Sequence, residues 1–384
     1  MKLNSINIHL YPQPLIYESR MFRQTKSIND KMNFDAIFLV GLSDNTLPEY
    51  EKIDGKRTIW RARIIGKKTS PSSIFKIIKL LKWYLAIRKK FNKHPIKMIN
   101  CHNLSSLPIA VYLKIKNNSI LVYDTHELET KTLWKKGILK PLSEIIEKIL
   151  MPYVDLIFVV SDEIGKWYKK KFPNKTIYTV NNTNYIPAFN KSKSKYNIRK
   201  IFNIPKSSMV FIHSGYFTEG RNIKLICRVF NKFKDKHIIF MGVGSLYNII
   251  NKYSRLNKNI HIMPAVESKK TTSYLQFADA GITLSEKTCL SIYLAVPAKF
   301  YEYIAGGLPI ISDDFSGKIK LVNKFKLGWV IKPTFKNLYR LVSRLKKTDI
   351  KNIKTNIFKA QKILNWKIDE NKYIDRLKDI LQKN

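Results

Sequence analysis

The run from Val296 to Ser312 holds the residue types of a phosphate-and-ribose site. Pro297 suits the first turn of a helix, Lys299 falls inside that turn, and Glu302 lies one turn further on. Gly306 and Gly307 end the helix, and an apolar strand follows at once. A helix that starts beside a strand offers free N–H groups and partial positive charge to a phosphate. A carboxylate one turn in can accept both hydroxyls of a ribose, as acidic residues do in dinucleotide folds.

Two further segments have matching chemistry. In Phe211–Ile223 a strand runs into Gly215, and Arg221 follows six residues later, with Lys224 beyond it. Glycine lets backbone approach a diphosphate, and a nearby cation neutralises it. Phe240 leads into Gly242 and Gly244, a strand-to-helix turn that is weak evidence by itself. In the first half, Ile99–Pro108 ends a strand at His102 and Asn103, and Leu121–Leu128 ends another at Asp124, His126 and Glu127. Both tips are expected at one edge of the same sheet, with Asp124 read as a turn cap.

The elements that must position these residues alternate short apolar runs with amphipathic ones, the mark of an α/β fold with mainly parallel sheets. Strands are expected at Ile6–Leu10, Ala36–Val40, Thr58–Arg63, Lys97–Cys101, Ile120–Tyr123, Leu156–Val160 and Ile177–Val180. After a polar stretch, Asn190–Arg199, read as a linker, the alternation restarts with strands from Met209–His213 to Gly328–Ile331. The expected domains are 1–190, 200–360 and a terminal amphipathic helix within 361–384 that returns to the first domain. The fold class is thus α/β, two doubly wound Rossmann-like domains facing a central cleft, where such folds bind ligands.

From about Lys97 to the end, the chain resembles family-4 (group 1) GT-B glycosyltransferases. The segment around Lys299 and Glu302 is similar to that family's nucleotide-sugar signature, and the Gly215, Gly242 and His126 segments follow in the family's order. The resemblance implies that Glu302 holds the donor ribose, that Lys299 lies near the donor, and that Gly215, Arg221, Gly242 and Gly244 line the nucleotide site. It implies that His126 and Glu127 face the transferred sugar and acceptor, His126 as a hydrogen-bonding partner and Glu127 as a base or charge stabiliser, with His102 behind them. Two positions depart from the family pattern: Leu294 stands where a second Glu is common, and Tyr216 where an Arg is common.

Charge points to a partner. Lys plus Arg number 70 against 28 Asp plus Glu, a formal net charge of +42. Such a surface seeks polyanions: lipid headgroups, nucleic acid or phosphorylated substrates. No acid occurs from Gly55 to Tyr123, and that stretch contains the amphipathic run Ser73–Lys93. Its apolar stripe (Ile74, Ile77, Ile78, Leu81, Tyr84, Leu85) is expected on the sheet. Lys76, Lys79, Lys82, Trp83, Lys89 and Lys90 are expected to face an anionic membrane. No apolar run is long enough to span a bilayer, and no secretory signal opens the chain, so the expected place is cytoplasmic and peripheral on the inner face of the cell membrane. The three cysteines are read as reduced thiols.

Neither zinc-ligand spacing nor a D-x-D in a metal-binding context is present, Asp313 and Asp314 being read as a loop. No metal or other cofactor is expected. The reaction read from these features is metal-independent sugar transfer from a nucleotide-sugar donor to a lipid-linked or polysaccharide acceptor, in cell-surface glycan biosynthesis. A GT-B-type sugar-nucleotide epimerase and a catalytically silent partner subunit are the alternatives. Nucleic-acid binding is not expected, because no helix-turn-helix, zinc or aromatic RNA-binding pattern accompanies the charge.

Overall fold

A computed structural model describes residues 3–43, 46–64, 73–132, 139–187 and 196–383. The chain forms two compact units: Met1–Val180 with Glu370–Asn384, and Asn181–Asp369.

The first unit holds strands β1 (Ile6–Leu10), β2 (Ala36–Leu42), β3 (Tyr50–Lys52), β4 (Arg57–Ala62), β5 (Ile96–Cys101), β6 (Ile120–Thr125), β7 (Leu156–Val159) and β8 (Ile177–Thr179). Their order is β3-β4-β2-β1-β5-β6-β7-β8, parallel except for β3 at the edge. Helices α1 (Ser19–Lys31), α2 (Ser73–Phe91), α3 (Leu107–Asn117), α4 (Leu139–Leu150) and α5 (Asp162–Lys171) connect them. β1 and β6 are buried along their whole lengths and β5 everywhere but Lys97, so their carboxyl ends are held rigidly side by side.

The second unit holds β9 (Met209–Tyr216), β10 (Lys236–Val243), β11 (Ile260–Met263), β12 (Ala280–Thr283), β13 (Ile310–Asp313) and β14 (Gly328–Ile331). They form an all-parallel sheet in the order β11-β10-β9-β12-β13-β14. Its helices are α6 (Ile198–Ile201), α7 (Ile223–Phe230), α8 (Tyr247–Leu256), α9 (Ser268–Leu275), α10 (Leu290–Leu294), α11 (Ala298–Ala305), α12 (Ser316–Phe325), α13 (Phe335–Arg344) and α14 (Lys347–Gln361). Two apolar layers sandwich the sheet, one containing Tyr303, Ile304 and Ile310, the other Phe211, Ile226 and Phe240. The last helix, α15 (Trp366–Lys383), lies from Glu370 onward in the first unit, where Tyr373 packs on Phe158 and Glu370 accepts from Ser27.

Several expectations are corrected. Asn197 caps the single-turn helix α6, so the end of the expected linker is helical, while residues 190–195 lie outside the described residues. Asp313 is not in a loop: it ends β13, fully buried, and pairs with Lys318 of α12. The apolar stripe of α2 is the wrong one. Trp83, Ile87 and Phe91 are the residues buried; Trp83 Nε1 donates to Gly41 O at 2.8 Å, and Phe91 packs on Phe38 and Trp60. The helix has two apolar sides, and the one with larger aromatic rings, which bury more area, took the sheet. Ile77, Ile78, Leu81 and Leu85 are left exposed.

Candidate functional site

In the second unit the carboxyl end of β9 meets the start of α11. Gly215 has φ +103°, a conformation L side chains rarely adopt, and the Lys299 side chain lies alongside it. Lys299 Nζ is 2.9 Å from His213 Nε2, and Ser214 Oγ is 3.5 Å from Glu302 Oε2. The hydroxyl of Tyr303 fastens α11 to the sheet, accepting from Ser214 N at 3.0 Å and lying 3.2 Å from Ile282 O. Burial and the neighbouring Arg221 push Lys299 well below the usual lysine range, with Glu302 acting in the opposite direction. Burial, Lys299 and Arg221 likewise depress His213. Arg221 is partly buried and has no ion pair among the described residues. Cations are thus gathered with little counter-charge, and an anion placed among them would relieve their repulsion. Gly242 has a structural reason to be glycine: a Cβ there would come within 1.8 Å of Gly215 O. Gly242 and Gly244 therefore let the Gly215–Phe217 turn pack down, which shapes the site from behind.

In the first unit the ends of β1, β5 and β6 bring three histidines into a row. His126 is 18% exposed; His102 and His9 are fully buried. Asp124 is buried beneath them and does not cap a turn. Arg20 of α1 grips both its oxygens, at 2.7 and 3.1 Å, and Gln24 donates to Oδ2 at 2.7 Å. Burial alone would raise the Asp124 carboxyl, but Arg20 and His102 hold it well below its ordinary value. Burial pushes His126 down to about 3, against the pull of Asp124, so the imidazole is neutral at physiological pH. His102, expected behind His126 and Glu127, has no exposure and can act only through His126. Glu127 is exposed on the turn after β6. Asn103 caps the short turn Leu104–Ser106, accepting from Ser106 N at 3.0 Å.

Among the described residues, one group has metal-ligand spacing: His102, Asp124 and His126, with donor atoms all within 4.8 Å. Those atoms are occupied by one another and by Arg20, whose positive charge would repel a dication. The group therefore does not fit a metal site.

The expected membrane residues divide. Lys76, Lys79, Lys82 and Lys89 are exposed; Lys90 lies over the Tyr50 ring, and Trp83 is 0% exposed, so it cannot meet a membrane.

No family model matches the chain. An uncharacterized glycosyltransferase of Methanocaldococcus jannaschii is 27% identical over 259 residues, spanning 62% of this chain and 60% of that protein. Sucrose-phosphate synthase from Thermosynechococcus elongatus superposes with a TM-score of 0.81 at 12% identity, covering 99% of this chain and 100% of that one. The chain has the GT-B fold. HepE of Anabaena, solved in complex with UDP-glucose, shares this GT-B architecture, with a TM-score of 0.69 at 10% identity over 99% of this chain and 97% of that one. Ligands of doubly wound sheets sit beyond the carboxyl ends of the strands, and the Gly215–Lys299 cluster and the histidine row both lie at such ends.

Three features of the two sites escaped the sequence reading. His213, under Lys299, was read only as part of a strand end. Asn7 and His9 lie in a stretch that the sequence presents only as the strand Ile6–Leu10. A histidine and an amide two residues apart in an otherwise apolar strand share one face, and that was the available signal.

Proposed function

We propose that the chain is a glycosyltransferase that takes a sugar from a nucleotide-sugar donor held in the second unit. The observation that carries this reading is the Gly215–Arg221–Lys299–Glu302 cluster. An unpaired arginine and a buried lysine suit a diphosphate, and a carboxylate beside Ser214 suits a ribose. The similarity to a named glycosyltransferase and the UDP-glucose bound by a protein of the same fold support it. No metal step is invoked: Arg221, Lys299 and the start of α11 stabilise the leaving diphosphate. Glu302→Ala should weaken binding of nucleoside and nucleoside diphosphate alike, whereas Arg221→Ala should weaken the diphosphate far more than the nucleoside. Calorimetric titration of both variants checks this. Wild-type affinities in both would move the donor site elsewhere.

The acceptor side of this reading is a lipid-linked or polysaccharide acceptor at the cytoplasmic face of an anionic membrane. The supporting observation is an outer layer of the first unit that exposes apolar side chains, with the polarity of α4 reversed. In α4, Ser143 and Glu147 are buried, while Leu142, Ile145 and Ile149 are exposed, Ile149 by 61%. α3 lies beside it and exposes Ile115 by 64%. α2 adds Phe75, Ile77, Ile78, Leu81 and Leu85 between its exposed lysines. Exposed apolar surface mixed with lysines suits the headgroup–acyl boundary. No helix among the described residues is long and apolar enough to cross a membrane.

Anionic vesicles should therefore bind the chain in two parts. High salt should remove the part due to lysines, each worth about 1 kcal/mol near the surface. Lys76, Lys79 and Lys82 changed together to Gln should remove the same part. Leu81→Ser with Leu85→Ser should remove the salt-resistant part. Tight binding to DNA with none to vesicles would overturn the membrane reading.

A further inference from the structure

The three histidines of the first unit stand in series on adjacent strands. His126 Nε2 is 3.0 Å from His102 Nδ1, His102 Nε2 is 2.8 Å from His9 Nδ1, and His9 Nε2 is 2.8 Å from Asn7 Oδ1. The buried end sets the direction. Asn7 Nδ2 donates to Met98 O at 3.2 Å, so the atom it turns to His9 is the oxygen, which only accepts. His9 Nε2 therefore carries a hydrogen. Burial and His102 hold the His9 ring neutral, so its Nδ1 is an acceptor and His102 Nε2 must carry a hydrogen too.

His102 Nδ1 then has two states. Without a hydrogen, it accepts from His126 Nε2–H, and His126 Nδ1 is left as a lone pair. With one, it faces both His126 Nε2 and Asp124 Oδ2, the latter 3.4 Å away, and His126 carries its own hydrogen on Nδ1. His126 Nδ1 has no partner among the described residues.

We infer that the Asn7–His9–His102 row fixes the tautomer of His126 and stores the proton that His126 takes from a ligand hydroxyl. The proton leaves the hydroxyl for His126 Nδ1, and the O–H bonding pair stays on the oxygen, which becomes the nucleophile. The hydrogen on His126 Nε2 crosses to His102 Nδ1. His126 ends neutral with its hydrogen on Nδ1, and His102 ends as an imidazolium beside the Asp124 carboxylate. No net charge is placed on His126, the ring that stands nearest to the ligand.

The other groups facing the row are few. Arg20 comes from α1 and is bound to Asp124. Tyr11 follows β1, with its ring 5.4 Å from that of His126. Cys101 on β5 and Tyr373 on α15 both interact with Asp124, and burial raises both well above their usual values, so neither supplies a charge near neutral pH. Asn7 and His9 touch no ligand; they are positioning residues. The part played in glycosyl transfer rests on the function proposed above, but the ring states do not.

Nitrogen-15 NMR of the full chain with labelled histidine tests this, the signals being assigned through His9→Phe, His102→Asn and His126→Gln. At high pH, His126 should show Nε2–H with a bare Nδ1. On acidification, the first proton taken up by the row should leave His126 singly protonated, with its hydrogen moved to Nδ1. Asn7→Leu should replace the single His126 tautomer by a mixture, and Asn7→Asp, which keeps an acceptor oxygen, should retain it. Wild-type His126 with Nδ1–H at high pH, or with a doubly protonated ring before His102, would overturn the inference. So would an unaltered His126 signal in folded Asn7→Leu. Donor binding is read separately in the second unit, so either proposal can fail without the other.

Discussion

His126→Ala should lower turnover by about 10²–10⁴-fold, the range typical of a lost general acid or base. Nucleotide-sugar affinity should be nearly unchanged, because His126 and the Glu302 cluster belong to different units. The measurement is a kcat and KM determination with membrane extract as acceptor, beside a binding isotherm for the donor. Glu127→Ala is the useful companion: its carboxylate is exposed, whereas His126 sits at the mouth of a buried row. Full activity in His126→Ala with loss in Glu127→Ala would shift the chemistry to the carboxylate.

The second large effect concerns stability. Arg20 and Asp124 are 104 residues apart in sequence and both buried, with 5% and 1% of their side chains exposed. Arg20→Met leaves a buried carboxylate without its cation and should cost about 3–5 kcal/mol in chemical denaturation. Arg20→Met with Asp124→Leu removes both charges and should recover much of that loss. The pH dependence has a definite sign. The folded Asp124 carboxyl sits below its unfolded value of about 3.9. Its contribution is therefore present above that pH and is lost as pH falls through the lower folded value. In Arg20→Met this acid-side loss should shrink, since the carboxyl loses the strongest of the partners that hold it ionised.

Much of the architecture is legible in the sequence because parallel strands buried on both faces read as apolar runs between turns. β1 and β14 have the bounds expected from sequence. α12 and α14 are not evident as helices in the sequence: the first is polar and short, and in the second the dense Lys and Asn obscure the stripe of Ile350, Ile353 and Ile357. α2 shows a different limit. Its periodicity identifies a helix, but two apolar stripes compete, and only the tertiary contact of Trp83 with Gly41 chooses between them. The cluster proposed to hold the donor is legible because Lys299 and Glu302 share one short segment. The histidine row is legible only in part: His102 and His126 are expected at one sheet edge, but Asn7 and His9 join them only through strand order, which no local pattern reports. Asp124 looked like a turn residue for the same reason: its partner Arg20 lies on a helix far back in the chain.

The central claim, a nucleotide-sugar donor held in the second unit, is tested most directly by thermal unfolding of the wild-type chain against UDP-, GDP-, ADP- and CMP-sugars. At 100 times its dissociation constant, a donor should stabilise the protein by about 2.7 kcal/mol. The prediction is that one or more nucleoside diphosphate sugars raise the unfolding temperature and that Glu302→Ala abolishes the shift. A wild-type chain whose unfolding no nucleotide sugar alters would contradict it.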